Sequence, residues 1–411
     1  MKRLIVVGGG PAGMMAAING AENGAAVTLL EKMPQLGKKL LLTGKGRCNF
    51  TNVAEVPEII KQFPASGAFL YSSLRALDNK ALMAFMGELG VAAKVERGGR
   101  VFPESDRAAD VLAALQKRLK QVGVQVRLNS PAQAIFSENG RAAGVKLATG
   151  EMCRADVVIL ATGGASYPGT GSTGDGYAMA AKVGHSLVPI FPSLVPLETE
   201  ETWVKGAQGL SLRNVRLTLL ADGKKVQDLF GEMLFTHFGV SGPIVLSLSR
   251  KAAQFLLDGS MVELGINLKP ALTPEQLEAR VLRDFHKFSR QQLKNALGEL
   301  LPQKLIAPVL DQAFLTPDKP VHSVTQAERR RLIETLRGLI LTVTKTRPLA
   351  EAIVTAGGVN LKEINPKTME SKILPGLYFA GEIMDIDAFT GGYNLQAAFS
   401  TGAAAGRWSA V

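Results

Sequence analysis

The residues best placed to do chemistry are three glycines and a carboxylate near the start of the chain. Gly8, Gly10 and Gly13 follow the spacing G-x-G-x-x-G, and Glu31 ends the next apolar run. In that spacing the first glycine permits a tight turn, the second lets backbone approach a pyrophosphate, and the third packs a helix against a strand. The helix that opens at Pro11 and Ala12 would offer free N–H groups and a positive dipole end to phosphates. Glu31 can accept hydrogen bonds from ribose hydroxyls and would repel a 2′-phosphate, which favours FAD or NAD over NADP. A second cluster runs from Gly44 to Asn52. There Arg47 could meet a pyrophosphate or flavin, while Asn49 and Thr51 could hydrogen-bond a ring edge; a polar turn satisfying its own backbone is the alternative. Cys48 reads either as a proton donor beside a flavin or as a small core residue. His237, in a loop flanked by Gly, Ser and Pro, is a rival acid, and Tyr393 is a third. The only other cysteine, Cys153, reads as inert, and two cysteines supply neither a disulfide framework nor metal-ligand spacing.

These residues need elements to hold them. Residues 2–7 predict a short buried strand, an Ala/Met-rich helix follows the glycines, and Ala26 to Leu30 predicts a second strand, which is a doubly wound beginning. An amphipathic helix is expected over 104–122, capped by Ser105, and strands over 124–128, 143–147 and 157–161. The texture changes at Pro189, Pro192 and Pro196. Beyond them, alternating segments at 215–220 and 261–268 suit antiparallel strands. Thr273, Pro274 and Gln276 predict a capped helix that continues to about Leu300, and Thr325 with Glu328 predicts another reaching Leu341. Glycine-rich, strand-like chain returns at 355–359 and 376–382.

Two further segments resemble parts of known flavoproteins. Tyr378 to Glu382 followed by Gly391 to Gln396 resembles the stretch by which FAD proteins return to the flavin, which implies a carboxylate-bearing turn at the ribityl chain and a helix N-terminus at the isoalloxazine. Gly169-x-Gly171-x-x-Gly174 also fits the dinucleotide spacing, yet no second βαβ unit follows it. Thr173 to Gly176 instead resembles the TGDG turn of flavoproteins such as the fumarate reductases, so NAD(P)H would have to dock directly over the flavin. Taken with Gly44–Asn52, Arg100-Val-Phe-Pro103, Ala161–Gly164, Phe235–Pro243 and Ala380–Gln396, the chain resembles the YhiN/BaiN family of flavoproteins over nearly its whole length. That resemblance implies an α/β fold: a Rossmann-like FAD-binding domain interrupted by an inserted β-barrel-like domain and a small helical domain. The expected boundaries are 1–190 with 355–411 for FAD, 191–270 with 342–354 for the barrel, and 271–341 for the helices. The residues expected around FAD are Gly8, Gly10, Pro11, Ala12, Gly13, Glu31 and Lys32 at the first turn, then Arg47, Cys48, Asn49 and Thr51. Ala132, Thr162, Gly163, Gly174 and Asp175 join them from the middle of the chain, and Gly381, Glu382, Gly392, Tyr393 and Asn394 from its end.

Arg280, Arg283, Lys287, Arg290 and Lys294 are spaced 3, 4, 3 and 4 apart, which on one continuous helix gives a single cationic stripe suited to phosphates or to solvent. The chain has 47 Lys plus Arg against 36 Asp plus Glu, a net charge of +11 over 411 residues, which favours a polyanionic partner. The longest apolar runs are too short to span a bilayer, no signal peptide is visible, and no metal site is expected. A reducing cytoplasm is the expected setting. The family resemblance implies hydride chemistry at FAD on an activated C=C bond, with two substrate classes. One is uridine in large-subunit ribosomal RNA or a ribosome precursor, reduced to dihydrouridine. The other is a small conjugated, steroid-like enone. A flavin-bearing RNA-binding factor without turnover is the reading from a different class.

Overall fold

The computed structural model describes residues 1–411 and divides into two compact units, Met1–Pro192 with Leu349–Val411, and Ser193–Pro348. The first unit is built on a parallel sheet of five strands in the order Leu377–Phe379, Val157–Leu160, Arg3–Val7, Ala26–Leu30, Gln125–Arg127. Its two central members, Leu-Ile-Val-Val and Val-Val-Ile-Leu, are buried at every one of those positions, as expected of parallel strands covered on both faces. Helices Pro11–Glu22 and Ala108–Gln121 cover it, together with the C-terminal helix Tyr393–Ala410.

The first helix and the C-terminal helix run side by side in the same direction. Gly402 lies against the Ala12 backbone and Gly406 against the Ala16 backbone, so closely that a Cβ at either position would overlap a carbonyl oxygen. Ala12 is the second residue of its helix and Gly402 the tenth of its own, so the C-terminal helix begins eight residues further out. At 1.5 Å per residue its N-terminus stands about 12 Å beyond that of the first helix.

The second unit is a closed antiparallel barrel of six strands: Leu197–Thr199, Gly239–Ser241, Lys224–Phe235, Ser211–Ala221, Val262–Asn267 and Leu339–Thr346. Helix Pro243–Leu257 packs Val245 and Leu248 into the same core as barrel residues Leu217 and Leu264, and helices Pro274–Lys287 and Gln326–Arg337 add Val281 and Leu332 to it. Barrel and helices therefore share one core. No helix of the chain is long and apolar enough to cross a membrane.

Four local expectations need correction. The helix expected from 104 begins at Ala108 with Arg107 as its N-cap, because Asp106 takes a left-handed φ of 56° and Ser105 lies outside the helix. The helix expected to reach Leu341 ends at Arg337, and Leu339 opens a strand whose side pairing to Val262–Asn267 overrides helical continuation. The helix after Thr273 has the expected capping box but stops at Lys287. Gln292 then bridges to Pro320, so Arg290 lies in a turn and Lys294 on a separate short helix, Leu293–Ala296. The single cationic stripe is thereby broken. Nor are its charges free of acids: Arg280 pairs with Asp284, Lys287 with Glu299 and Lys294 with Asp318. Arg283 remains exposed on the helix.

Candidate functional site

The candidate site lies where the first unit gathers its loops at the ends of the parallel strands, the place where open α/β sheets bind ligands. Gly8 has φ +108°, and a Cβ there would collide with the Ala161 carbonyl at the end of the neighbouring strand, so only glycine makes this turn. Gly13 presses on Gly8 itself. Gly10 is different: a Cβ added to it meets no protein atom, so the space above it is open to a ligand. It caps the first helix without a side-chain hydrogen bond, leaving the helix N–H groups to face outward. Glu31 is held beside them. Its Oε2 accepts from the Gly9 N–H at 2.7 Å and its Oε1 from the Met33 N–H at 2.8 Å, which fixes the carboxylate next to the glycine turn with lone pairs to spare.

Three lysines draw the glycine-rich loop after Val157–Leu160 against this turn. Lys32 donates to Thr173 at 2.6 Å and to Asp175 at 2.7 Å, Lys38 to the Gly169 carbonyl at 3.1 Å, and Lys39 to Ser166 at 2.7 Å. Burial works to raise the Asp175 carboxyl, but Lys32 and Thr173 more than reverse it and leave it lowered. Gly174 caps helix Asp175–Lys182 with φ +83°. The chain then enters strand Leu187–Ser193, which pairs with Val354–Val359 in a separate two-stranded sheet. Gly169–Gly174 thus opens no second dinucleotide sheet. Thr162 and Gly163 precede this loop, and the Thr162 hydroxyl is buried with no partner.

Lys39 also carries the ion pair that sequence reasoning missed. It donates to Glu382 at 2.9 Å, and the same carboxylate accepts from the Thr355 N–H at 2.8 Å. The Glu382 side chain expected at a ribityl chain is therefore committed to the protein. A partner 343 residues away leaves no signal in a local window.

The Gly44–Asn52 loop divides its residues. Arg47 is taken up by Glu96 and Asp106 with its guanidinium 4.1 Å from the Phe102 ring centre, so it is engaged with acids rather than open to a phosphate. Thr51 donates to Gln396, whose amide in turn donates to the Leu77 carbonyl at 2.9 Å. Asn49 is left with its Oδ1 buried and unpartnered, beside Gly392. Gly392, at φ +97°, caps the C-terminal helix, with Tyr393 its first residue and Asn394 closing the preceding loop through both bonds to Ala388. Cys48 is 0% exposed, and burial pushes its thiol up to about 12 despite a hydrogen bond with Thr43. Tyr393 is 9% exposed and raised by burial. Ala132 heads strand Ala132–Glu138, half-buried, and Gly381 turns at φ +75° before Glu382. His237 belongs to the second unit, in the turn between Lys224–Phe235 and Gly239–Ser241, edge-on to Phe238. Cys153 is half-buried, with Arg127 and Glu151 each 3.4 Å from its sulfur.

A dinucleotide fits this arrangement on three counts. Gly10 leaves a cradle that a Cβ would fill, two helix N-termini point the same way with an offset of about 12 Å along their axes, and the Asn49 and Thr162 oxygens are buried without partners.

A family model described as the HI0933-like protein Rossmann domain matches residues 2–408. The chain is 33% identical over 413 residues to the 3-dehydro-bile acid delta(4,6)-reductase of Clostridium scindens, an alignment covering 100% of this chain and 99% of that one. It is 30% identical over 402 residues to the ribosomal RNA dihydrouridine synthase of Haemophilus influenzae, covering 97% of this chain and 96% of the relative. Among solved structures, 3-ketosteroid delta1-dehydrogenase from Sterolibacterium denitrificans has a TM-score of 0.55 at 13% identity with both chains covered in full, a likeness of fold.

Proposed function

The chain belongs to the HI0933-like Rossmann-domain family, and from that premise we propose that it is an FAD-dependent oxidoreductase that reduces an activated C=C bond. The observation that carries this reading is the pair of parallel helix N-termini offset by about 12 Å along their axes. The first, with Gly10, would hold the pyrophosphate; Glu31 would hold the adenosine ribose; the second, with Gly392 and Asn49, would face the isoalloxazine. Held there and reduced by its donor, FAD would supply hydride chemistry for the β-carbon of an activated alkene. The chain itself must hold a proton for the α-carbon and exclude water from the reacting atoms. Tyr393, on the first turn of the second helix, is the leading donor, with His237 behind it and the deeply buried Cys48 last. NAD(P)H is the proposed electron donor, docking at the flavin because the Gly169–Gly174 loop does not build a nicotinamide domain.

The substrate we propose is uridine in large-subunit ribosomal RNA, supported by the net charge of +11 and by the relative from Haemophilus influenzae. A small steroid-like enone is the second reading, favoured by the relative from Clostridium scindens. A non-catalytic flavin-bearing RNA-binding factor would hold a flavin that NAD(P)H leaves oxidised. The purified protein should be yellow and release FAD on heating, and Gly10→Val should fold yet lose the colour. Ribosomal RNA from cells lacking the protein should lack the mass of two hydrogens on one uridine. Unchanged RNA beside a rapid enone reduction would reverse the order of the two substrates.

A further inference from the structure

One hairpin next to the candidate site carries charge that the proposed chemistry does not use. Strands Ala93–Glu96 and Arg100–Pro103 pair antiparallel, and Thr51–Asn52 joins them on the other side. Gly98 and Gly99, with φ of +79° and +73°, make the tip. Asn52, 2% exposed, ties that tip to the site: its Nδ2 donates to the Gly98 carbonyl at 3.0 Å and to the Gly391 carbonyl at 3.1 Å, one residue before the cap of the C-terminal helix. Whatever the tip holds is thus held in register with that helix N-terminus.

The hairpin and the turn that follows it contain Lys94, Arg97, Arg100 and Arg107 against Glu96, Glu104 and Asp106. Two of the acids are consumed from within: Arg47 engages both Glu96 and Asp106, and Lys94 engages Asp106. What is left toward solvent is mostly positive. Arg97 is exposed with no acidic partner. Arg100 comes no nearer than 3.7 Å to Glu96, and Arg107 no nearer than 3.9 Å to Asp110 with 71% of its side chain exposed. Lys45 is exposed on the adjoining loop in a left-handed conformation at φ +59°. The exposed apolar side chains nearby are Val95, Val53 and, on the Lys45 loop, Leu42, with no aromatic among them and no amphipathic helix to anchor among acyl chains.

We propose that this hairpin is the backbone clamp for a single strand of RNA, with Arg97 and Arg100 on the phosphates flanking the reacting base and Lys45 and Arg107 on their neighbours. This rests on the RNA reading above and names the surface that reading requires. Guanidinium groups bind phosphate oxygens through paired, charge-assisted hydrogen bonds. Taking a base out of its stack costs a few kcal/mol, and contacts to the phosphates beside it are the direct way to offset that cost. The cations of the broken helical stripe lie in the other unit, three of them already paired with acids.

The test is a salt series of holoenzyme binding to an in vitro transcript of large-subunit ribosomal RNA. Each phosphate contact contributes roughly 0.7 to 0.9 to the slope of log affinity against log salt, so Arg97→Gln with Arg100→Gln should flatten the slope by about 1.5. Arg97→Lys with Arg100→Lys should retain most of it, and Arg97→Glu alone should weaken binding at low salt. Flavin absorbance should match wild type in all three, since none of these side chains supports the core. If wild type binds the transcript and the double glutamine variant binds it with the same slope, the clamp is overturned while the RNA reading stands. If wild type ignores RNA and reduces an enone, the RNA reading falls and the clamp with it. Tighter binding to phosphatidylserine vesicles than to the transcript would also overturn the proposal.

Discussion

The three proton-donor candidates look alike in sequence and very different in place. Cys48 is fully buried, its thiol is pushed up to about 12 by that burial, and its backbone sits at φ +63°, where a side chain is strained. A thiol in that state packs the core and yields its proton poorly. Tyr393 stands on the first turn of the C-terminal helix, directly after the Gly392 cap, against which the unpartnered Asn49 oxygen lies. Cys48→Ala should therefore cost about 1 kcal/mol of stability and leave turnover within a few-fold of wild type. Tyr393→Phe should keep FAD and slow substrate reduction by about 100- to 10,000-fold while the flavin is still reduced by its donor. Single-turnover rates with a pre-reduced protein separate the two steps. A slow Cys48→Ala beside a fast Tyr393→Phe would move the proton to the thiol. The glycines and Glu31 were legible because a turn, a helix start and a strand end all fall within one short window. The pairings of Arg47 and Lys39 were not, since each is decided by acids that approach only after the chain has folded back.

At the scale of elements, the same contrast holds. Both capping boxes, Thr273 with Gln276 and Thr325 with Glu328, form as their sequences dictate, because a cap is settled within three residues. The ends of those helices lie short of where periodicity places them, since a bridge to Pro320 and the pairing of Leu339–Thr346 in the barrel terminate them. A tertiary device of this kind also holds three elements of the first unit together. His185, 4% exposed, lies between Glu363 at 3.0 Å and Ser371 at 2.8 Å, with the Phe379 ring edge-on at 4.8 Å. The Ser371 oxygen already accepts from the N–H groups of Ile373 and Leu374. Its hydroxyl therefore donates to a neutral His185 Nε2, and a protonated ring would have no acceptor there. Burial lowers the His185 pKa, and Glu363 only partly opposes this. With the folded value below the unfolded one of about 6.5, the contribution to stability is fully present above that pH. It is lost as the pH falls from there through the folded value. Thermal melts from pH 8 down to pH 5 should show wild type losing several degrees that His185→Gln does not lose. Parallel curves for the two proteins would remove His185 from the account.

For the whole molecule, the question is how many parts fold independently. Local periodicity reads the insertion as mixed strands and helices, and the three-part division is what the family resemblance implies. Contacts group the same residues differently: Ser193–Pro348 is one compact unit, and Val281, Leu332 and Leu336 of the helices pack in the same core as Leu217, Leu264 and Leu341 of the barrel. Texture is a property of local periodicity, whereas a core is a property of which faces meet, and only the second governs cooperativity. We propose that residues 193–348 fold alone as a single cooperative unit. The chain has two tryptophans, and only Trp203 lies in this stretch, 5.5 Å from Phe235 of the barrel. Its fluorescence therefore reports the barrel, while the far-ultraviolet signal at 222 nm reports mainly the helices. In urea the two transitions should coincide, and Val281→Ala, a truncation at a fully buried helix position, should shift both by the same 1 kcal/mol or so. Helical signal lost well before Trp203 responds would show that the helices form a domain of their own, and the boundary near residue 271 would then be the physical one.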